Sequence, residues 1–348
     1  MKKTNAFFYV LLAIIIVGIF SFLSLEKGDK LSINYLVETR KANTLSEDYG
    51  LIYQKILKNT ELSLGQLEYE VNYFEDYSGF DKQMKEVNRS ESSNVMICQF
   101  EREETYDAFV KLNTLPQALF IILNEPEGGE QVQKKEILYL SPRSDLLAKA
   151  INELFKLEEN HTLLLINNKK QSFRNTTFQT HLMGQKTTIS IEEGEELKSR
   201  ISSVGDILST MNPDFLLIDL NEKLTIALLE KIVGFPRERI ILLSENTSHQ
   251  VGYYTGSNSY GINGITFTNP TQVKNFNNKT ALLCSITQTL ANCFVKEKKA
   301  GLNQLKQYLK VNPTTPFSIN ANQVITPIYR VSFTEKGIRV LNKAELIK

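Results

Sequence analysis

The chain has 348 residues, a length typical of two domains. Its 40 lysines and arginines nearly balance 39 aspartates and glutamates, and 42% of its residues are hydrophobic. This composition is that of a globular protein and excludes a disordered chain or a small disulfide-rich module. A protein held on nucleic acid by a broad positive field needs an excess of basic residues, so we predict no nucleic-acid partner.

The N-terminus begins with basic residues and continues with an uncharged apolar run. Lys2 and Lys3 precede residues 6–25, a stretch of 20 residues without a charged side chain. A helix of this length spans the roughly 30 Å of a bilayer's hydrocarbon core. We therefore predict an N-terminal transmembrane helix, an uncleaved signal anchor. The protein would be a bacterial single-pass protein of the inner (cytoplasmic) membrane, with the bulk of the chain in the periplasm or outside the cell. The alternative is a cleaved signal peptide, although the run ends in a poor cleavage site at Phe22–Glu26.

Short apolar runs rich in β-branched residues follow, and they predict strands. These runs cover 31–39, 67–76, 94–100, 118–124, 137–140, 162–168, 187–191, 214–220 and 239–244. Apolar residues at helical spacing predict helices between several of them, around 51–59, 146–155, 197–211 and 224–232. Several of the strands are apolar at consecutive positions, which is typical of parallel sheets that helices cover on both faces.

The repeated order of strand and helix predicts right-handed βαβ units, about four before residue 141 and about four after it. We predict an α/β fold with two doubly wound parallel-sheet lobes. A single barrel of eight units is the alternative, but the C-terminal third breaks the rhythm. A Gly-, Asn- and Ser-rich stretch at 252–264 precedes two predicted helices, at 279–296 and 302–311, and a hairpin at 325–341 with Gly337 in its turn.

Four segments, taken in order, resemble the type I periplasmic binding proteins, and in particular their branched-chain amino-acid (Leu/Ile/Val) binding family. Segment 75–83 is similar to the end of the family's second strand and the helix after it, and 140–145 is similar to the crossing into the second lobe. Segment 261–270 resembles the return to the first lobe, and 327–341 resembles the closing hairpin. The resemblance implies three crossings between the lobes and a ligand clamped at the carboxyl ends of the strands.

The resemblance also implies a division of the chain and a function. Residues 1–30 would form the cytoplasmic tip and membrane anchor. The first lobe would contain 31–140 and about 273–315, and the second 141–272 and about 316–348. The protein would be a membrane-anchored solute-binding protein that clamps a small polar, amino-acid-like ligand for uptake or sensing. Its partner would be a membrane permease or sensor.

In the first lobe, the family offers hydroxyl groups and main-chain N–H groups to the ligand after its third strand. The corresponding segment here, Gln99–Thr105, contains three glutamates, which suit the start of a helix but repel a ligand carboxylate. Arg102 and Thr105 are the two residues of this segment that we predict to bind the ligand.

In the second lobe, Asn221 follows a predicted strand whose end often supplies a ligand contact in the family. Glu245 follows the next strand, where the family often has an acidic residue that pairs with a ligand ammonium. Tyr253 and Tyr254 lie in the Gly-rich stretch, where they line the cleft or shield the joint between the lobes. These four complete the predicted ligand-binding residues, while we interpret 167–173 as a solvated loop.

Motifs of an enzyme are missing from the sequence. No glycine-rich phosphate-binding motif follows a strand, and the three histidines and three cysteines lack the spacing of a metal site. We predict no catalytic residue, no metal and no cofactor. Two other interpretations stay open. One is a binding fold that has lost its ligand and serves as a protein-interaction or scaffold ectodomain. The other, less favoured, is a two-lobed, metal-independent glycosyltransferase.

The three cysteines are predicted to be small buried apolar residues. Cys284 and Cys293 fall in one predicted helix, where their Cα atoms would be about 13 Å apart, too far for a disulfide. Cys98 has the alternative of pairing with one of them.

Overall fold

The structure is a computed structural model. It describes residues 30–38, 46–62, 65–87, 93–100, 103–111, 118–123, 136–140, 144–168, 175–191, 197–243, 249–267, 278–313, 315, 317–320 and 322–344.

Strands and helices alternate along most of this part of the chain. The strands are β1 (Leu31–Glu38), β2 (Leu67–Phe74), β3 (Ser93–Gln99), β4 (Ala118–Ile122), β5 (Ile137–Tyr139), β6 (Thr162–Asn168), β7 (Gln185–Ile191), β8 (Phe215–Asp219), β9 (Ile240–Leu242), β10 (Asn263–Thr266), β11 (Ser318–Asn320), β12 (Gln323–Ile325), β13 (Ile328–Thr334) and β14 (Gly337–Ala344). The helices are α1 (Ser46–Asn59), α2 (Tyr77–Val87), α3 (Glu103–Val110), α4 (Ser144–Phe155), α5 (Asn175–His181), α6 (Leu197–Met211), α7 (Glu222–Leu229), α8 (His249–Thr255), α9 (Asn278–Glu297) and α10 (Leu302–Val311).

The first sheet has seven strands in the order β11-β12-β5-β4-β3-β1-β2. Strands β1 to β5 and β12 run parallel, and β11 is antiparallel to β12. Every residue of β1 is buried, because its sheet neighbours and the helices on both faces exclude water. Ile52 of α1 and Ile286 of α9 pack on one face, and Phe80 of α2 and Phe109 of α3 pack on the other.

The second sheet also has seven strands, in the order β14-β13-β10-β9-β8-β6-β7. Strands β6 to β10 are parallel, and β13 and β14 form an antiparallel hairpin at one edge. Gly337 takes a φ of +106° in the hairpin turn, as its position in the sequence predicted. Helices α4 and α5 cover one face of this sheet, and α6 and α7 cover the other.

Arg330 of β13 fixes α4 to the second sheet. Its guanidinium lies 4.5 Å from the centroid of the Phe155 ring. Nη1 donates a hydrogen bond to the Leu154 carbonyl at 3.0 Å, and Nε donates to Asn263 Oδ1 at 3.2 Å. The arginine thereby satisfies a carbonyl in the last turn of α4, which has no partner inside the helix.

The prediction of two parallel-sheet α/β lobes is confirmed, and each of the nine predicted strands overlaps an observed one. The third crossing lies later than expected. We placed residues from about 316 onward in the second lobe, but β11 and β12 belong to the first sheet, so the chain crosses after Ile325. Val324 is buried in the core of that sheet, and Gln323 is in register with Tyr139 of β5.

A second difference concerns the Gly-, Asn- and Ser-rich stretch at 252–264, which the structure shows to be ordered as a helix, a 3₁₀ turn and the start of β10. Gly252 lies within α8 because this helix packs tightly on the hairpin. A Cβ atom on Gly252 would come within 3.0 Å of the Phe333 ring.

Within the described ranges, no helix has both the length and the apolar character needed to cross a bilayer. The predicted localisation, a single-pass protein of the inner membrane, is therefore wrong for this part of the chain. The predicted anchor at 6–25 lies outside the described residues.

The cysteine prediction is confirmed, since Cys98, Cys284 and Cys293 are all buried and none forms a disulfide. Cys284 and Cys293 both belong to α9. Burial raises the pKa of the Cys98 thiol well above its ordinary value, and it raises that of Cys293 to about 12.

Candidate functional site

The carboxyl edge of the second sheet brings two polar side chains together. In the register of β6 and β8, Leu165 is opposite Leu217, and Asn167 is opposite Asp219. Successive side chains of a strand alternate between faces, so these four residues lie on the same face of the sheet. An amide and a carboxylate therefore lie side by side just beyond a pair of leucines.

A pocket opens at this edge, on the face covered by α4 and α5. Its cavity volume is about 20 Å³, room for about one water molecule. The described residues that line it are Leu147, Leu165, Ile166, Asn167, Phe178, Leu217, Asp219 and Leu243. Pockets for small molecules combine apolar walls with a few polar groups. The pocket therefore has the composition of a small-ligand site.

Asn167 is held within the pocket wall and not in a solvated loop. Its side chain is 4% exposed. Ser190, on the neighbouring strand β7, donates a hydrogen bond from its hydroxyl to Asn167 Oδ1 at 2.8 Å. This bond fixes the orientation of the amide. Our interpretation of 167–173 as solvated is wrong for Asn167, and residues 169–173 lie outside the described residues.

Two helices begin near this edge, and each has a polar residue of its own at its N-terminus. Asn221 caps α7, where its side-chain oxygen accepts a hydrogen bond from the Leu224 N–H at 2.9 Å. Asp145 lies in the first turn of α4 and pairs with Lys149, their charged atoms being 3.8 Å apart. Both are the usual partners of helix N-termini, which carry unpaired N–H groups and positive potential.

The carboxyl edge of the first sheet has a different character. Glu38, the last residue of β1, is 2% exposed, and Thr105 of α3 is 3% exposed. The Thr105 hydroxyl donates a hydrogen bond to Glu38 Oε1 at 2.7 Å. A threonine hydroxyl has one proton to donate, and here that proton goes to a buried carboxylate of the same lobe.

Aromatic side chains fill the space after β3, where the resemblance implied hydroxyl groups. Phe100 is 2% exposed. Its ring centroid lies 5.4 Å from those of Phe80 and Phe109, 5.6 Å from that of Tyr106 and 6.3 Å from that of Phe74. Burial, with a smaller effect of a neighbouring tyrosine hydroxyl, raises the pKa of Tyr106 far above its ordinary value. This region is a packed apolar cluster.

The six predicted ligand-binding residues occupy different environments. Thr105 and Asn221 make the hydrogen bonds just described. Tyr253 and Tyr254 lie on α8, 82% and 64% exposed, with their rings edge to face at 5.4 Å, and neither lines the described pocket. Arg102 and Glu245 lie outside the described residues. As ligand contacts, all six stay predictions.

Asn167 and Asp219 are absent from the predicted set although they line the pocket. Each is a polar residue that directly follows an apolar run, 163–166 in one case and 215–218 in the other. In a parallel sheet such residues fall at the carboxyl edge, where ligands of open α/β sheets bind. That placement is the signal that would have identified them.

Comparison with known proteins shows the fold. No family model matches the sequence, and no curated protein matches it. Solved structures match over nine-tenths of the chain. A leucine-binding protein from Thermotoga maritima is 10% identical, with 90% of this chain and 99% of that one covered and a TM-score of 0.61.

Two further solved structures are similar to the same extent. A leucine-, isoleucine-, valine-, threonine- and alanine-binding protein from Brucella ovis, in a closed conformation, is 14% identical, with 92% and 96% of the chains covered and a TM-score of 0.63. An ABC-transporter solute-binding protein from R. palustris, in complex with 4-hydroxybenzoate, is 8% identical, with 91% and 96% covered and a TM-score of 0.63.

The chain therefore has the fold of the type I periplasmic binding proteins, and the resemblance found in the sequence is confirmed as a resemblance of fold. These neighbours are solute-binding proteins.

Proposed function

We propose that the protein is a solute-binding protein, without enzymatic activity, that holds one small ligand at the carboxyl edge of its second sheet. The observation that carries this proposal is the pocket at that edge, in which Asn167 and Asp219 lie beside apolar walls. Support also comes from the structural neighbours, which bind amino acids or an aromatic acid on the same fold.

The chemistry of the lining suggests the shape of the ligand. Leu147, Leu165, Phe178, Leu217 and Leu243 form the apolar floor of the pocket, so an apolar part of the ligand would lie over them. The amide and carboxylate at the edge suit a polar head group that donates hydrogen bonds. This is consistent with the small polar, amino-acid-like ligand expected from the sequence.

Glu245 is proposed as a further contact to an amine-bearing ligand. It follows Leu243, a lining residue, by two positions. As in transport systems whose solute-binding proteins share this fold, the partner we propose is a membrane permease, or a sensor that detects the closed, ligand-bound form.

A thermal-unfolding screen of the full chain against amino acids, aliphatic amines and small carboxylic acids tests the proposal. A ligand present at 100 times its dissociation constant stabilises the folded state by about 2.7 kcal/mol. At least one compound should raise the unfolding temperature in a concentration-dependent way. If no compound in the panel does so, the proposal is wrong.

The role of Glu245 is tested with a compound from that screen. Glu245→Ala should weaken an amine-bearing ligand by about 1.5–3 kcal/mol, the range for a hydrogen bond to a charged group. Glu238→Ala is the matched control, because it removes the same charge from an exposed position just before β9, at the opposite end of that strand. If the two variants bind the compound with equal affinity, Glu245 does not contact the ligand.

The second candidate is a binding fold without a ligand that acts as a protein-interaction module. It is favoured by the first sheet, where the Glu38–Thr105 pair and the packed Phe100 ring occupy the edge that a clamped ligand would contact. This candidate predicts that no small molecule stabilises the chain. The same thermal screen therefore separates the two functions.

A further inference from the structure

The outer edge of β7 is an open edge of the second sheet. β7 is the last strand in the order of that sheet, and among the described residues no strand lies beside its outer side. Residues 185–188 are exposed, so this side of the strand is accessible. A strand at the edge of a sheet has a row of backbone N–H and C=O groups with which a further strand can pair. The outer side of β7 is therefore a candidate surface for strand pairing.

Three residues of β7 direct their backbone groups toward this open side. The Gln185 N–H donates a hydrogen bond to the His161 carbonyl at 2.7 Å, so it points inward, toward β6. The backbone groups of successive strand residues point alternately to the two sides of the strand. Lys186, Thr188 and Ser190 therefore direct their N–H and C=O groups outward.

The other three edge strands of the two sheets have features that oppose pairing. β11 has only three residues. β2 has exposed glutamates at Glu68 and Glu70. β14 has exposed cations at Arg339 and Lys343, and its register with β13 is shifted at one point. Short length, charged side chains and irregular register are the means by which proteins prevent their sheet edges from pairing with other chains.

β7 lacks these features. It has seven residues and no proline, and its register with β6 is unbroken along its whole length. Its one charged side chain, Lys186, is bonded back to its own chain, because the ammonium donates a hydrogen bond to the Leu182 carbonyl at 2.6 Å. The long, regular edge is therefore open in the one place where the protein has not blocked it.

A second copy of β7 is a suitable partner for this edge. In an antiparallel pair centred on Thr188, all seven residues of each copy lie opposite a residue of the other, and Thr188 faces Thr188. Lys186 lies opposite Ser190, so the lysines do not face each other, and Thr187 lies opposite Ile189. Threonine pairs and pairs of β-branched residues stabilise adjacent strands, whereas like charges directly opposite destabilise them. The pair has a twofold axis, which is the commonest symmetry of protein dimers.

We propose that the protein forms a twofold-symmetric homodimer in which β7 of one copy pairs antiparallel with β7 of the other. The two seven-stranded second sheets then join into one continuous sheet. The Thr188 N–H of each copy donates to the Thr188 carbonyl of the other, and Lys186 exchanges the same two bonds with Ser190 on either side of the axis.

Sedimentation equilibrium of the full chain measures this association. The unmodified protein should show a concentration-dependent equilibrium between monomer and dimer. Thr188→Lys places two ammonium groups opposite each other at the centre of the pair, and Thr188→Glu places two carboxylates there. Because like charges juxtaposed in an interface strongly oppose association, each variant should raise the dissociation constant of the dimer at least about tenfold.

A mixture of the two variants tests the register of the pair. In a mixed dimer the lysine of one copy faces the glutamate of the other, so an equimolar mixture should form the dimer that neither variant forms alone. Its formation also shows that both variants are folded. Ser318→Lys is the matched control, because it adds the same charge at an exposed hydroxyl residue of β11, an edge strand of the first sheet. This control should dimerise like the unmodified protein.

Hydrogen exchange of the unmodified protein tests the contact without any substitution. The Thr188 amide points outward, so its exchange should slow as the protein concentration rises and the dimer forms. Exchange that does not depend on concentration, in a protein that does dimerise, would place the contact on another surface and overturn the inference.

The sedimentation results decide the rest. A dimer that is weakened by each variant and recovered by their mixture supports the pairing about Thr188. A chain that stays monomeric at every concentration overturns the inference and leaves the edge open to a strand of another protein. If the single variants dimerise like the unmodified protein, or if their mixture stays monomeric, β7 does not pair with itself about Thr188.

Discussion

Thr105→Val tests whether the Thr105 hydroxyl belongs to the fold of the first lobe or to a ligand. Valine keeps the shape of threonine and removes the donor, leaving Glu38 without this hydrogen bond at a site where both residues are at least 97% buried. The bond is 2.7 Å long, and losing a hydrogen bond to a charged group costs about 1.5–3 kcal/mol. We expect the free energy of unfolding to fall by this amount in the absence of any ligand.

Urea denaturation of the full chain measures this loss. Thr105→Ser is the control, because it keeps the hydroxyl and loses one methyl group, at a cost of about 0.8 kcal/mol. Glu38→Gln with Thr105→Val completes a double-mutant cycle, which should give an interaction energy between about 0.5 and 3 kcal/mol. If Thr105→Val unfolds like the unmodified protein and instead weakens a ligand, the hydroxyl serves the ligand, as the sequence predicted, and our assignment fails.

Four further substitutions test the second lobe by urea denaturation. Arg330→Met removes two hydrogen bonds and a cation–π contact that fix α4 and should cost about 1–3 kcal/mol; an unchanged midpoint would contradict this role. Asp214 has a pKa below its ordinary value of 3.8, because the Thr162 backbone N–H and hydroxyl donate to it. The unmodified protein should therefore be more stable than Asp214→Asn at pH 7 and lose that advantage as the pH falls through the lowered pKa. If the difference in unfolding free energy between the two proteins does not change with pH, protonation of Asp214 does not affect stability and the prediction is wrong. Gly184 has a φ of +102°, and a Cβ there would lie 2.8 Å from a backbone oxygen. Gly184→Ala should destabilise the lobe by more than about 1 kcal/mol. Gly205→Ala, in a helix with open space around it, should instead stabilise it by about 0.5–1 kcal/mol. Equal effects of the two substitutions would show that an alanine is not strained at position 184.

Much of the fold follows from local pattern. Runs such as 163–166 and 215–218 are apolar at every position because helices cover both faces of the sheet, so consecutive apolar residues identify the strands directly. Segments whose structure depends on contacts distant in sequence were harder to predict. β11 and β12 have three residues each, and β12 belongs to the first sheet only through its pairing with β5.

The site was less accessible to sequence reasoning than the fold. Thr105 and Glu38 are 67 positions apart, and nothing local to either shows that one satisfies the other. The neighbouring positions of Asn167 and Asp219 depend on the register of β6 and β8. A sequence indicates that a strand exists far better than it indicates which residue of the next strand lies opposite.

A crystal structure of the full chain, determined with a compound that stabilises it in the thermal screen, tests the proposed solute-binding function most directly. We expect the compound at the carboxyl edge of the second sheet, with a polar atom within hydrogen-bond distance of Asn167 or Asp219. A compound bound away from this edge would contradict the proposed site.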